Sequence, residues 1–325
     1  MKVHTMGKWN KRIVGMNLTG RWSQQTYRLV QYLGQGATGV VYLAKQLPSG
    51  PFLALKMSDA AYAISSEVNI LKKLSKTTGT YQGPKFYHID DGEIIYFHSY
   101  KKVYFYTMEY IEGMSYTRFI AQNGNKWAVV FLLQILKNLF VLHRARWAFG
   151  DLKVDNLLVS SKKTPQIRWF DVGGFTEFGK SVKEYTEFYD RGYWGAGSRK
   201  ASVQYDLFAA CMIFLEAYYP KRFQKHKKDG KVVLYEKIKS IPELFWFLPI
   251  FEKVWNGRYQ SAAEMHRDVQ SYFIRATAKK KRMQATLKQQ KRDRIRTKIW
   301  RFFLQIGVVL ISILGGYILY LFYQT

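Results

Sequence analysis

The chain has 325 residues and is 48% hydrophobic, which excludes a mainly disordered protein and suffices for a two-lobed domain with additional segments. Its one cysteine, Cys211, excludes a disulfide framework and fits a reducing compartment. The net charge of +28 is unevenly placed: the first 58 residues hold eight Lys or Arg and no acid, 221–239 forms a second cluster, and 275–301 holds twelve against Asp293 alone. Such clustering predicts an anionic partner, with a merely solvated basic surface as the alternative.

No apolar segment follows the basic N-terminus, so a signal peptide is not expected, and residues 1–25 read as a loosely ordered lead-in. From Thr26 the pattern is strand, glycine loop, strand: TYRLVQYL, GQGATG, VVYLAKQL. Gly34, Gly36 and Gly39 have G-x-G-x-x-G spacing. A dinucleotide fold would place a helix after these glycines, but Val40 and Val41 continue as a strand, so the loop is a hairpin tip. A third strand follows the turn at residues 48–51 and carries Lys56 in LALK. The stretch SSEVNILKKL then reads as a helix with an apolar stripe of Ile64, Val68, Leu71 and Leu74. Its Glu67 is either an ion-pair partner for Lys56 or a surface acid. Residues 81–91 read as a loop, followed by strands near 93–97 and 103–108. The segment TMEYIEG then leads to a long buried helix over 127–143, whose His143 reads as a packed or capping residue.

Residues 149–173, FGDLKVDNLLVSSKKTPQIRWFDVG, are the chemical centre. Asp151, Lys153 and Asn156 share one short loop. A strand at 157–159, a turn at 162–165 and a strand at 167–170 return the chain to Asp171. Such a hairpin brings Asn156 and Asp171 to one end of a cleft. Phosphoryl transfer needs a carboxylate to orient the attacking hydroxyl, and oxygen ligands to hold Mg²⁺ on the phosphates. Beyond Gly174, the hydroxyls of Thr176, Ser181, Thr186, Ser198 and Ser202 are candidate modification sites. An apolar helix begins near Asp206, and Ser261 reads as the N-cap of a later one.

Residues 302–323 carry no charge over twenty-two positions, the length of a membrane-spanning helix. The basic flank at Arg294, Arg296, Lys298 and Arg301 predicts that its N-terminal side faces the cytoplasm, as a single-pass C-terminal anchor in the cell membrane. Ser312 and Gly316, four apart, permit close helix packing and hint at a homodimer. The basic run suits anionic lipid, with sequence-nonspecific DNA as the competitor.

GQGATGVV, LALK, Glu67, TMEYIEG, GDLKVDN, FDVGG and Arg258 occur in the order found in protein kinases. Residues 26–273 thus resemble a complete eukaryotic-like (Hanks-type) Ser/Thr protein kinase of the bacterial kind, similar to the anchored members from spore-forming bacilli. The resemblance implies an α+β, two-lobed fold: a β-rich N-lobe over 26–110, a helical C-lobe over 111–273, a basic juxtamembrane segment over 274–301, and the terminal helix. It implies ATP and Mg²⁺ as cofactors and protein Ser/Thr hydroxyls as acceptors. By the same resemblance Gly34, Gln35, Gly36, Gly39 and Val41 would cover the nucleotide, and Lys56, held by Glu67, would bind its phosphates. Met108, Glu109 and Ile111 would line the adenine pocket. Asp151 and Lys153 would be catalytic, and Asn156 and Asp171 would hold the metal. Asp206 would bond the catalytic-loop backbone, unless it is a simple helix-start acid. Three departures stand out. Phe149-Gly150 replaces the family's His-Arg, no Ala-Pro-Glu follows the activation segment, and Gly150-Asp151 is also found in small-molecule antibiotic kinases, although Lys153 favours a protein kinase. A pseudokinase scaffold and a nucleic-acid-binding protein with a secondary kinase role are the alternatives.

Overall fold

The computed structural model describes residues 11–36, 38–77, 83–96, 99–160, 164–219, 221–225 and 229–324. Two compact units divide the chain, Met1–Gln270 and Ser271–Thr325.

The first unit opens with a six-stranded antiparallel sheet in the order β1-β2-β3-β4-β6-β5. Its strands are β1 (Asn17–Thr19), β2 (Thr26–Gly36), β3 (Gly39–Gln46), β4 (Phe52–Ser58), β5 (Phe86–Tyr96) and β6 (Ser99–Met108), with helix α1 (Ala61–Thr77) between β4 and β5. Alternate residues point to one face, and Leu29, Tyr42, Ala44, Leu55 and Phe105 bury themselves there.

Two expectations fail at the N-terminal edge for one shared reason. The lead-in is ordered over 11–25: Ile13 and Leu18 enter the sheet's core, and β1 pairs with β2. The expected loop over 81–91 is strand from Phe86 onward, with 81 and 82 outside the described residues. The turn-like Asp90-Asp91-Gly92 is where the N-terminal segment docks. Asp90 accepts hydrogen bonds from Trp22 N (3.1 Å) and Ser23 N (2.9 Å). A Cβ on Gly92 would lie 2.5 Å from Thr19 O. Burial by itself would push the Asp90 carboxyl up, but the Ser23 hydroxyl and then the backbone N–H donors outweigh it and hold it below the usual range.

The helical part begins with β7 (Met114–Ser115), α2 (Tyr116–Asn123) and α3 (Trp127–Arg144). Ser115 caps α2, accepting from Arg118 N. Helix α3 is long and apolar because it is buried, with Phe131, Ile135, Leu136 and Leu139 fully covered. The short strands β8 (Trp147–Ala148), β9 (Leu157–Ser160), β10 (Gln166–Trp169) and β11 (Thr176–Glu177) frame the chemical centre. β9 pairs antiparallel with β10, Leu157 opposite Trp169, as the hairpin reading expects; of its turn, 162 and 163 lie outside the described residues. Helices α4 (Val203–Glu216), α5 (Gly230–Lys239), α6 (Pro242–Phe245) and α7 (Leu248–Trp255) complete the core. The start of α8 (Ala262–Gln324) is capped by Ser261, whose Oγ accepts from Glu264 N, while Glu264 accepts from Gln260 N.

The second unit is the remainder of α8. Its basic side chains Arg292, Arg294, Arg296 and Lys298 are exposed, as are Phe302, Leu304, Val309, Ile311 and Leu314. This helix is long and apolar enough to cross a membrane.

Candidate active site

Strand register explains how the first charged group reaches the cleft. On β4, Lys56 lies opposite Val41 of β3 and Tyr106 of β6, and Ala54, two residues away on the same face, lies opposite Met108. The Lys56 side chain is thus carried into a cleft of about 640 Å³ whose walls include Gly34, Gly36, Val41 and Met108. Lys56 is 4% exposed, and its Nζ lies 2.7 Å from Glu67 Oε1 and 3.8 Å from Asp171 Oδ1. Burial pulls the ammonium down, but Asp171 and then Glu67 outweigh it, so Lys56 sits above the ordinary lysine range.

Glu67 is no surface acid. It is 2% exposed and accepts from Tyr106 Oη (2.8 Å) and Thr38 Oγ1 (2.5 Å) as well as from Lys56. The segment from β4 to α1 is only two residues long, which puts Glu67 on the second turn of α1 facing the strand. Neither Tyr106 nor Thr38 was expected as a holder of Glu67. The alternation of β6 carried a signal for Tyr106, two residues from Met108 on the same face; nothing local marked Thr38.

The glycine loop bends over the acids. A Cβ on Gly36 would lie 3.9 Å from Asp171 Oδ2, whereas one on Gly39 would collide with Met57 O at 2.6 Å. Gly39 therefore permits the close approach of β3 to β4. Gln35 also lines the cleft, as do Glu109 and Ile111. Glu109 donates its N–H to Lys85 O and its carboxylate pairs with Arg168 at 2.8 Å, which ties this connecting segment to β10.

The loop after β8 supplies the second set of groups. Asp151 Oδ2 receives Lys153 Nζ at 2.5 Å and Asn156 Nδ2 at 3.2 Å, and the same amide donates to Asp151 O at 2.9 Å. Burial raises the Asp151 carboxyl, only partly countered by Lys153 and Asn156. Asp171 Oδ1 accepts from Gly173 N at 2.9 Å. The loop is held from below by Asp206, which is fully buried. Its two oxygens accept from Phe149 N (2.7 Å), Gly150 N (3.1 Å) and His143 Nε2 (2.9 Å). Asp206 is thus the loop's anchor; Ser202, not Asp206, caps α4, accepting from Tyr205 N. His143 is a packed residue, as expected.

These positions bring the glycine loop, a buried lysine–glutamate pair, and the Asp151, Asn156 and Asp171 oxygens around one cleft. A protein kinase domain model matches residues 27–297. The chain belongs to the protein kinase family. It is 42% identical over 280 residues, 86% of this chain and 81% of the relative, to the serine/threonine-protein kinase YabT of Bacillus subtilis (strain 168). Over shorter stretches it is similar to the serine/threonine-protein kinases PrkC of the same organism (26% over 152 residues) and ATG1a of Arabidopsis thaliana (33% over 157). Those matches cover 45% of this chain and only 22% and 23% of the relatives. The chain is a bacterial Hanks-type serine/threonine protein kinase, with ATP and Mg²⁺ as the cofactors standard for the family.

The donor set fits that cofactor pair. Asn156 commits its Nδ2 to Asp151, so Oδ1 is the atom that would ligate a metal, and Asp171 would add a carboxylate that is 35% exposed. Among the described residues no group of three or more His, Cys, Asp or Glu side chains could hold a metal ion. Two protein oxygens suit a Mg²⁺ whose other ligands are phosphate and water.

The departures from the family pattern also have physical explanations. Phe149 fills the place of the family's histidine as a fully buried ring against Trp169 (5.1 Å) and Phe175 (4.7 Å). Gly150 has φ +75°, and a Cβ there would lie 2.4 Å from Gly174 O. Arg258, expected in the structural-arginine place, is exposed and has no carboxylate partner among the described residues. Asp190, fully buried, instead holds the segment before α4: it pairs with Arg199 at 2.7 Å and accepts from Gly192 N, Tyr193 N and Tyr205 Oη. Of the candidate modification sites, Thr176 is buried with its hydroxyl on Gly174 O, and Ser202 is a helix cap; Ser181 and Ser198 are exposed and Thr186 lines the cleft.

Proposed function

We propose that this cleft transfers the γ-phosphoryl group of ATP to protein Ser/Thr hydroxyls through the residues named above. The convergence of Asp151, Lys153, Asn156, Lys56 and Asp171 on one cleft carries the reading. Asp151 orients the acceptor hydroxyl and takes its proton on a carboxylate oxygen, while the hydroxyl oxygen bonds to the γ-phosphorus and the bond from that phosphorus to the ADP oxygen breaks. A positioned base of this kind is worth roughly 10²–10⁴ in rate. Lys153, 2.5 Å from that carboxylate, stabilises charge on the transferring group. Lys56, fixed by Glu67, neutralises α- and β-phosphate charge. The glycine loop covers the phosphates without side chains, and Met108, Glu109 and Ile111 border the adenine. Asn156 and Asp171 would hold Mg²⁺, which supplies charge neutralisation between the phosphates.

The kinase domain sits on the cytoplasmic face, anchored by 302–323, and the basic run 275–301 lies against anionic lipid, each Lys or Arg contributing on the order of 1 kcal/mol. The same basic surface offers sequence-nonspecific DNA a route to localise or activate the enzyme. Ser312 and Gly316 on one helix face favour a homodimer.

Autophosphorylation with radiolabelled ATP and Mg²⁺ tests the core reading. Wild type takes up label, and Asp151→Ala and Asp171→Asn do not. Normal labelling of Asp171→Asn sinks the assignment, and an unlabelled wild type favours a scaffold. Repeating the assay with anionic vesicles and with DNA over a salt series tests the basic surface. Salt-insensitive activity with both removes its role.

A further inference from the structure

The nucleotide cleft has a counterpart on the other face of the same sheet. Successive residues of a strand point to opposite faces. On β4 and β6, Ala54 and Met108 are cross-strand partners that line the nucleotide cleft. Their chain neighbours Leu53 and Thr107 point the other way and line a separate cavity of about 390 Å³. The ordered N-terminal segment closes it. Asp90 holds the N–H groups of Trp22 and Ser23, and Ser23 and Gln25 thereby wall what would otherwise be an open sheet end. A cavity of this size is in the range that takes small molecules.

The lining is polar, yet it includes no Lys, Arg, Asp or Glu. Its most buried polar members are Tyr27 and Thr107, 3% and 1% exposed. Thr107 Oγ1 has no hydrogen-bond partner. Burial raises the Tyr27 phenol, and the neighbouring Thr107 hydroxyl eases it only in part. Gln25 spends its amide nitrogen on Leu47 O (2.7 Å) and Thr26 O (3.3 Å), which leaves its Oε1 as an acceptor. The Gln46 side-chain amide makes no hydrogen bond among the described residues. Leu53, Pro51 and Tyr87 supply apolar surface. His88, which can gain charge near neutral pH, is half exposed and sits 3.8 Å from Asp90 Oδ2. Buried polar groups normally find partners. Unspent hydroxyls and amides beside apolar walls suit a flat ligand with donors and acceptors along one edge, and a glutamine amide pairs with such an edge in a nucleobase. A phosphate would meet no Lys or Arg in this lining and an amine no carboxylate, so the ligand is uncharged.

We propose that this cavity binds an uncharged heterocycle of the nucleobase or nucleoside class, and that the bound ligand acts on the nucleotide cleft through β4 and β6. The coupling rests on the kinase reading of the cleft; the binding does not. Leu53 precedes Ala54 and Thr107 precedes Met108, so a ligand that fixes one side chain of each pair steadies the backbone that carries the other.

The test uses the full chain in detergent with the nucleotide cleft filled by the non-hydrolysable analogue AMP-PNP and Mg²⁺, so that any binding read lies outside it. Guanosine, cytidine and uridine are titrated in turn, by saturation-transfer NMR and by calorimetry. At least one binds saturably, with Kd below about 1 mM. Tyr27→Phe weakens that binding by roughly threefold to tenfold, the equivalent of one hydrogen bond. Gln46→Trp, which sets a ring in the cavity, abolishes it. Both variants still bind AMP-PNP, and either decides alone if the other does not fold. No saturable binding of any of the three nucleosides overturns the proposal, as does binding that both variants leave unchanged. In steady-state phosphotransfer, the bound nucleoside shifts KM for ATP on the order of fivefold; an unchanged KM with the nucleoside bound overturns the coupling. Failure of the kinase reading is distinct: wild type then transfers no phosphate even with no nucleoside present.

Discussion

Replacing Glu67 by Ala tests the lysine–glutamate pair most directly. The substitution strips Lys56 of its nearest counter-charge at 2.7 Å and deprives Tyr106 Oη and Thr38 Oγ1 of their acceptor. Breaking a buried pair by removing one member costs about 3–5 kcal/mol. Lys56 keeps Asp171 at 3.8 Å as a second counter-charge that also raises the ammonium. The cost therefore falls near the lower end, about 3 kcal/mol, or roughly 6–12 °C in Tm for a domain of this size. The kinetic effect is separate: an ammonium no longer fixed above Asp171 raises KM for ATP and lowers kcat. Glu67→Gln keeps an acceptor for Tyr106 and loses only the charge, so it falls between wild type and Glu67→Ala on both scales. Thermal unfolding followed by circular dichroism and steady-state phosphotransfer over an ATP series make the comparison. A Glu67→Ala protein within 1–2 °C of wild type and with unchanged KM for ATP refutes the assignment.

Three further outcomes follow from the same geometry. As the proposed base, Asp151 works only when ionised, so the rate falls as pH drops through its raised value; Lys153→Ala removes a group that lowers that value and moves the acid limb of kcat/KM to higher pH. Asp90, held below the usual aspartate range, contributes stability that is present at neutral pH and lost as pH falls through its depressed value. Asp90→Asn is therefore less stable by about 1–3 kcal/mol at pH 7, and its stability changes less on acidification, as read by urea denaturation at several pH values. Gly39→Ala, pushing a methyl to 2.6 Å from Met57 O, weakens the β3–β4 pairing and raises KM for ATP.

Much of the site was legible because its parts lie in short local patterns. The hairpin from Asn156 to Asp171 needs only two apolar strands and a turn, and β9 and β10 pair that way. Lys56 was legible from its strand. The groups that hold Glu67 were harder to read: Tyr106 is marked only by the alternation of β6 and Thr38 by nothing local, and both meet Glu67 only after β6, the glycine loop and α1 have packed together. The N-terminal edge misled for a different reason. Asp90-Asp91-Gly92 has turn chemistry, but it runs as strand in the ladder with β6, Asp90 opposite Phe105 and Gly92 opposite Val103, and its Asp90 carboxylate is used by the N–H groups of Trp22 and Ser23. Arg222 carried no local signal, since its partners Asp155, Tyr189 and Glu216 come from three distant segments.

The glycine at 150 decides how the segment after Gly174 is held. A positive φ suits glycine, and the carbonyl of Gly174 occupies the direction a side chain would take, 2.4 Å from an added Cβ. An arginine there would displace the very backbone that sits against Asp151, since a Cβ on Gly174 would itself lie 2.7 Å from Asp151 Cβ. The chain thus trades a cationic pocket beside Asp151 for close backbone packing. The cation it does use is Arg199, which pairs with buried Asp190 at 2.7 Å in a contact complete without any phosphate. Gly150→Ala accordingly costs about 1–3 kcal/mol and lowers kcat more than it raises KM, because it shifts Asp151 while leaving Lys56 and the glycine loop in place. Arg199→Ala loosens the Asp190 corner and leaves the Asp151–Asn156 bonds intact. If Gly150→Ala instead raises KM for ATP with kcat unchanged, the close contact with Gly174 does not position the base.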